Sequence, residues 1–433
     1  MEKGKKENFN RLVGKKVRVA LEKQEFRGTV LETYDPSILL LKLKSGYNIG
    51  IEKTKIKNIE EIKEKAEVRE EIKELKFKAN LPEVAVIVTG GTISSRVDYK
   101  TGGVMPLTKP EDIIATAPKL GEIINPVITS PFMIWSENIS ADDWKALAKT
   151  VEREINKPNI KGVVILAGTD TLHYIAAALS FMLGKLNKPV VLTCSQRSID
   201  RGSTDALLNL TCSAYASLSD IAEVMIVSHA TNNDNFCFAL KGTKVRKMHT
   251  SRRDTFRPIN TKPLATIYDD GKIEFFSNFN KRNDKNKAKA EQFFEDKTAL
   301  VKWHPNLSPG IFDFYIKSGY RGLVIEATGF GHVASGGKFT WTNKLREAIK
   351  KGMLIFFAPQ TLYGTLDPFV YAAGREFEKM GIVFLKDILP ETAFVKLGFI
   401  LGKERDPKKI KALMLQNIAG EFNSRLSEKD FLV

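Results

Sequence analysis

Two apolar runs in this chain end in glycine–threonine turns: Val84–Ser95, VAVIVTGGTISS, and Lys161–Thr171, KGVVILAGTDT. An apolar run, then glycine, then threonine is the pattern of a parallel strand leaving a sheet. Open α/β sheets bind their ligands outside the carboxyl ends of such strands. Taken alone, TGGT also fits a phosphate-cradling loop or a plain strand-to-helix turn. GTDT alone fits a helix start, because Thr and Asp both cap orphan N–H groups. The two together, followed by VVLTCSQRSIDRGS with the same strand-then-polar-turn grammar, define a cluster of turns rich in hydroxyls. Asp170 adds a carboxylate, and Val245–Thr250 (VRKMHT) adds Lys247. Two threonines, an aspartate and a lysine form an activated-nucleophile set that needs no catalytic histidine.

From Val84 to near the C-terminus these motifs resemble the bacterial-type L-asparaginases and L-glutaminases. The resemblance implies roles position by position. Thr92, the second threonine of TGGTI, matches the primary nucleophile. Tyr99, in VDYKTGGV, matches the tyrosine of a flexible loop that closes over the substrate. Ser136 and Glu137, in WSENIS, fall where the family holds the substrate's α-carboxylate and α-ammonium with Ser and Gln. Glu137 is a departure, although a carboxylate still binds an ammonium through a charge-assisted hydrogen bond. Thr169 and Asp170 match the second motif, and Lys247 matches the lysine paired with that aspartate. Ala167 stands where asparaginases carry His, a difference that bears on fine specificity.

The chemistry needs this set. A threonine hydroxyl is a poor nucleophile without an adjacent base. Lys247 serves as that base when unprotonated; desolvation favours this form, whereas Asp170 favours the ammonium while orienting it. Thr169, between Lys247 and the substrate, can relay the proton. Backbone N–H groups of the glycine turns, where Gly90 and Gly91 permit close approach, suit an oxyanion, and one such donor is worth about 3 kcal/mol. The reaction class is amide hydrolysis through an acyl-enzyme, with release of ammonia.

The expected fold is α/β: an asparaginase-like two-domain body preceded by a small all-β unit. Residues 81–280 form the catalytic doubly wound domain, with helices over Ser140–Ile155, Thr171–Leu183 and Ser203–Ala216. Residues 281–433 form a smaller α/β domain with strands ALVKW, GLVIEA, MLIFFA and IVFL. Residues 1–80 read differently. Short alternating strands (KKVRVALE, FRGTVLETY, ILLLKLK, YNIGIE) separated by turn signals suggest an SH3-like or Sm-like barrel. Glu60–Lys78 then reads as a charged helical linker.

A barrel joined to an asparaginase-like body resembles the D-subunit family of archaeal tRNA-dependent amidotransferases. That resemblance implies a glutaminase that hydrolyses L-glutamine and passes ammonia to a partner, the E subunit of the amidotransferase. The partner uses ATP and Mg2+ to convert Glu-tRNA(Gln) to Gln-tRNA(Gln). It also implies a homodimer of this chain within a heterotetramer, because asparaginases complete each site with a neighbour's second domain. No cofactor is expected on this chain.

Composition excludes little. The chain has 433 residues and a formal net charge of +16, and residues 1–60 hold 14 Lys+Arg against 8 Asp+Glu. A second basic cluster spans Lys241–Arg257. Such charge fits tRNA proximity or a solvated lysine-rich surface equally well. Three cysteines and no secretory pattern point to a reducing cytoplasm, and the five scattered histidines show no metal-ligand spacing, so no metal site is expected. Two other functions fit part of the pattern: a stand-alone L-asparaginase with an N-terminal appendage, since Asn and Gln differ by one methylene, and a non-enzymatic tRNA- or partner-binding scaffold.

Overall fold

The structure is a computed structural model that describes residues 9–45, 47–62, 80–97, 104–106 and 117–431. Most of the expected charged linker (63–79), and the loop segment with Tyr99 (98–103), lie outside the described residues.

The N-terminal unit is a five-stranded antiparallel sheet of β1 (Lys16–Ala20), β2 (Glu25–Leu31), β3 (Ile38–Leu43), β4 (Asn48–Glu52) and β5 (Asn58–Glu61), in the order β4-β3-β2-β1-β5. Alternation sets its core: Val17 and Val19 of β1 point inward and meet Val30, Leu39, Leu41 and Ile51. In the β2–β3 turn the Ser37 N–H donates to Asp35 Oδ1 at 2.9 Å, a side chain standing in for a backbone turn bond. The fifth strand corrects the sequence reading, which gave Glu60 and Glu61 to the linker. Asn58–Glu61 instead pairs with β1, Ile59 opposite Val19. Its alternation is nearly invisible because its side chains are half-buried or exposed.

The body begins with β6 (Glu83–Val88), a short hairpin of β7 (Ser95–Val97) and β8 (Val104–Pro106), and β9 (Asn125–Thr129). There follow α1 (Ala141–Ile155), β10 (Ile160–Leu166), α2 (Leu172–Leu183), β11 (Val190–Thr193), α3 (Ala206–Leu218), β12 (Val224–His229) and β13 (Phe236–Lys241). A second hairpin, β14 (Val245–Lys247) with β15 (Phe256–Pro258), precedes β16 (Ala265–Tyr268) and β17 (Ile273–Phe275). The main sheet has the order β17-β16-β13-β12-β11-β10-β6-β9. From β9 to β12 it is parallel; β13, β16 and β17 add antiparallel strands that the sequence reading did not separate. The parallel strands read as unbroken apolar runs because both faces are covered. In β6, Ala85 and Ile87 join the core under α1 and α2, whereas Val84, Val86 and Val88 join the core under α3.

The second α/β unit is a four-stranded parallel sheet of β18 (Thr298–Lys302), β19 (Gly322–Ala327), β20 (Leu354–Pro359) and β21 (Val383–Phe384), in that order. Its helices are α4 (Ile311–Lys317), α5 (Thr342–Lys350), α6 (Ala372–Lys379), α7 (Pro390–Lys403) and α8 (Pro407–Leu415). Helix α7 packs on α2, with Phe399 stacked on Phe181 at 6.3 Å, so the two α/β units share a core. Two buried ion pairs, Lys244–Asp387 and Lys396–Glu421, both at 2.5 Å, fasten the C-terminal segment at this junction.

Candidate active site

The turns after β6 and β10 meet at the carboxyl ends of their strands, and glycine makes the meeting possible. Gly91 has φ 82° and ψ −176°, a region only glycine occupies readily. A Cβ on Gly91 would lie 2.3 Å from Gly168 Cα, so the two turns touch backbone to backbone. A Cβ on Gly168 would in turn meet Ser136 Oγ at 2.7 Å. Further bonds draw the turns together. Thr89 donates through both its N–H and its hydroxyl to Leu166 O, each at 2.9 Å. Ser136, buried after β9, accepts from the Asp170 N–H at 3.2 Å, and its carbonyl accepts from the Thr171 hydroxyl at 2.6 Å.

On this frame Thr92 opens a 3-10 turn, Thr92–Ser94, and is half-buried. Thr169 is buried. Lys247, at the end of β14, donates to Thr169 Oγ1 at 2.9 Å and to Asp170 Oδ1 at 2.6 Å. Thr169 also leans toward Asp170 Oδ1, at 3.3 Å. The lysine side chain is only 11% exposed, whereas that of Asp170 is 64% exposed. The bond from Lys247 holds the Asp170 carboxyl below the usual carboxylate range, against the opposing effect of burial. Glu137 follows Ser136 but is exposed at the surface. Tyr99 lies outside the described residues.

Several side chains beside this cluster were not singled out from the sequence. Asp170 and Lys247 share a cleft of about 440 Å³ with His173, Tyr174, Arg246 and Glu391. Burial, with Arg246 and Lys247 nearby, pushes the His173 imidazole down to about 3, so the ring is neutral at physiological pH. Glu391, from α7 of the second unit, accepts from Arg246 at 2.9 Å. Burial raises the Glu391 carboxyl and Arg246 opposes the rise. Nothing in the local pattern of α7 marks Glu391, because it reaches the cleft only through the packing of the two units. Among the described residues no group of three or more His, Cys, Asp or Glu could hold a metal ion, and no helix is long and apolar enough to cross a membrane.

Fold and comparison together define an asparaginase-like α/β body. Residues 83–281 match the family described as asparaginase, N-terminal, and residues 297–414 match the glutaminase/asparaginase C-terminal domain. The fold is similar to that of the thermostable L-asparaginase from Thermococcus kodakarensis, with a TM-score of 0.71 at 25% identity, covering 79% of this chain and 100% of that one. L-asparaginase I from Vibrio cholerae shares the fold with a TM-score of 0.68 at 24% identity, covering 79% of this chain and 99% of that one. Residues 12–62 match the GatD N-terminal domain. The chain is 43% identical over 418 residues to the glutamyl-tRNA(Gln) amidotransferase D subunit of Pyrococcus furiosus, covering 95% of this chain and 94% of the relative. It is 40% identical over 420 residues to the corresponding protein of Methanothermobacter thermautotrophicus, covering 96% and 95%. The chain belongs to the family of glutamyl-tRNA(Gln) amidotransferase D subunits, and is an enzyme subunit with an asparaginase-like body.

Proposed function

We propose that this chain is the ammonia-generating half of its amidotransferase and hydrolyses L-glutamine with Thr92 as nucleophile. The observation that carries the reading is the hydrogen-bonded Thr169–Asp170–Lys247 cluster against the turn that bears Thr92. Thr92 Oγ attacks the side-chain amide carbon, and its proton passes through the Thr169 hydroxyl to an unprotonated Lys247 amine. Asp170 orients that amine. The tetrahedral oxyanion is met by backbone N–H groups of the glycine turns. Collapse expels ammonia, with the proton returned to the leaving nitrogen, and leaves a glutamyl ester on Thr92. Water then hydrolyses the ester to glutamate and restores the hydroxyl.

In this reading Ser136 and Glu137 receive the α-carboxylate and α-ammonium of glutamine, and the loop with Tyr99 closes over it. A homodimer lets a neighbour's second α/β unit complete the site, within a heterotetramer in the cytoplasm. Ammonia goes to the partner, the amidotransferase E subunit, which uses ATP with Mg2+ on Glu-tRNA(Gln). Free ammonia is mostly protonated at neutral pH and then non-nucleophilic, so the hydrolysis gains from waiting for the acceptor. Glutamate release is compared for the chain alone, with its partner, and with partner plus Glu-tRNA(Gln), with asparagine as the competing substrate. A large stepwise rise with glutamine is expected; equal rates in all three refute the coupling, and faster turnover of asparagine by the isolated chain makes it an asparaginase.

A further inference from the structure

Strand β12 ends in His229, whose side chain is fully buried. Its Nδ1 lies 2.7 Å from Asn209 Oδ1 and its Nε2 lies 3.0 Å from Asp234 Oδ1. The orientation of the Asn209 amide is set by its other end. Asn209 Nδ2 donates to Cys194 O at 2.9 Å and toward Asp205 Oδ2 at 3.4 Å, so Oδ1 faces the ring. Cys237 Sγ approaches the same Oδ1 as a donor, at 3.4 Å. An amide oxygen and a carboxylate oxygen only accept hydrogen bonds. Both ring nitrogens therefore face acceptors, and only the doubly protonated ring satisfies both.

This ring sits mid-way along a line of polar side chains that joins the turn after β11 to the hairpin that carries Lys247. At one end the Asp205 carboxylate accepts from the Gln196 N–H, at 2.9 and 3.1 Å, and from the Arg197 N–H at 3.1 Å. Those amides belong to the turn after β11, the third turn of the cluster. At the other end Asp234 accepts from Arg253 NH1 at 2.7 Å, and Arg253 also donates to Asn232 O. Arg253 lies in the loop of the β14–β15 hairpin, the element that carries Lys247. The sequence of groups is carboxylate, amide, imidazolium, carboxylate, guanidinium. Burial pushes the Asp205 carboxyl up, opposed by the turn amides and the charge on His229. At Asp234 burial also acts upward, but His229 and Arg253 outweigh it and hold that carboxyl below its usual range. The charged groups that face the ring are thus Asp234 and Asp205, with Arg253 behind Asp234 and the thiol of Cys237 against Asn209.

We infer that His229 is a positioning residue for the hydrolysis: its doubly protonated ring locks the Lys247 hairpin to the turn after β11, the strand paired with β10. The inference rests on the glutaminase reading for its catalytic consequence only. A buried charge is tolerated when it is paired and its remaining hydrogen-bonding group is satisfied, and it becomes costly when the partner is removed. Asp234→Asn keeps an oxygen acceptor and the shape but removes the charge that pairs with both the ring and Arg253. The line is weakened at that point, and the hairpin is freed to shift against the turn.

The test uses the full chain labelled with 15N-histidine, the His229 signal being the one that disappears in His229→Gln. The wild type should show protons on both ring nitrogens, hydrogen-bonded to Asn209 and Asp234. Asp234→Asn should show a proton on one ring nitrogen only, with faster amide exchange in residues 248–255 and 195–198. Its kcat for glutamine should fall about 10-fold with KM nearly unchanged, because displacement of a catalytic group by a fraction of an ångström is enough for such a loss. Asp234→Glu, which restores the carboxylate, should recover both the exchange pattern and kcat; a merely structural role would lower the amount of folded protein without this split between kcat and KM. A neutral ring in the wild type overturns the charge assignment. A neutral ring in Asp234→Asn with wild-type exchange and kcat overturns the lock. A wild type that hydrolyses no glutamine, even with its partner and Glu-tRNA(Gln), refutes the glutaminase reading, while the ring spectrum and the exchange data still decide the lock.

Discussion

Replacing Gly91 with alanine should cost activity far more than its size suggests. Gly91 has φ 82° and ψ −176°, and holding a residue with a Cβ there costs about 1–3 kcal/mol. The new methyl group would also lie 2.3 Å from Gly168 Cα, 2.4 Å from Gly168 N and 2.9 Å from the Ala167 carbonyl carbon. All three are backbone atoms, so no side chain can rotate away. Ordinary contact begins near 3.4 Å, which obliges one turn to withdraw by about 1 Å. The turns carry Thr92 on one side and Thr169 on the other. A displacement of about 1 Å at a reacting group costs about 100-fold, equivalent to about 2.7 kcal/mol of barrier. The assay is glutamate release by the assembled enzyme, paired with a denaturation midpoint. Gly336→Ala is the control: nothing lies within 4 Å of its added Cβ, and its stability should change by less than about 0.5 kcal/mol. If Gly91→Ala keeps more than half of the wild-type rate, the two turns do not set the catalytic geometry.

His173→Gln should flatten the acid side of the stability curve. The folded ring is pushed down to about 3 while the unfolded ring titrates near 6.5, so wild-type stability is full above that value and falls as pH drops toward 3; denaturation midpoints across this window read it. A wild type with no loss across the window would show that the ring is not held neutral. Asp387→Ala should destabilise the protein by roughly 3–5 kcal/mol, because it strands buried Lys244 and also removes the acceptor of the Asn423 N–H. A loss below about 1 kcal/mol in chemical denaturation would mean that the pair does not fasten the C-terminal segment. Deleting residues 1–80 should leave the α/β body folded, since the first sheet has its own core of Val17, Val19, Val30, Leu39, Leu41 and Ile51. Loss of all folded protein would count against an independent unit.

How much of this was legible follows from how each element is buried. The runs VAVIV, GVVIL and VVLT announce parallel strands because every residue faces a core, and all three are strands of the parallel part of the sheet. Strand β17, at the sheet edge, has half-buried and exposed side chains, and β5 is charged at Glu60 and Glu61, so neither carries a periodic signal. The hydrogen bonds among Thr169, Asp170 and Lys247 link residues that the sequence had already put forward, although Lys247 lies 77 residues from Asp170. The contact of Gly91 with Gly168 was not legible, because two glycines give no hint of which backbone each must approach. Nor was the line through His229. Asp205 looks like a helix start and Asn209 like an ordinary helical residue; only the packing of α3 against β12 brings them to the ring. Glu391 is a third case, a residue near the start of one domain's helix that completes a cleft in the other.

The claim on which the rest depends is that Thr92 forms the acyl-enzyme. It is tested by treating the complex of this chain and its partner, with Glu-tRNA(Gln) present, with an electrophilic glutamine analogue, then digesting and weighing the peptides. The label should sit on the peptide that contains Thr92, be prevented by excess glutamine, and vanish in Thr92→Val. Label on Thr169 instead, or undiminished label in Thr92→Val, would contradict the mechanism.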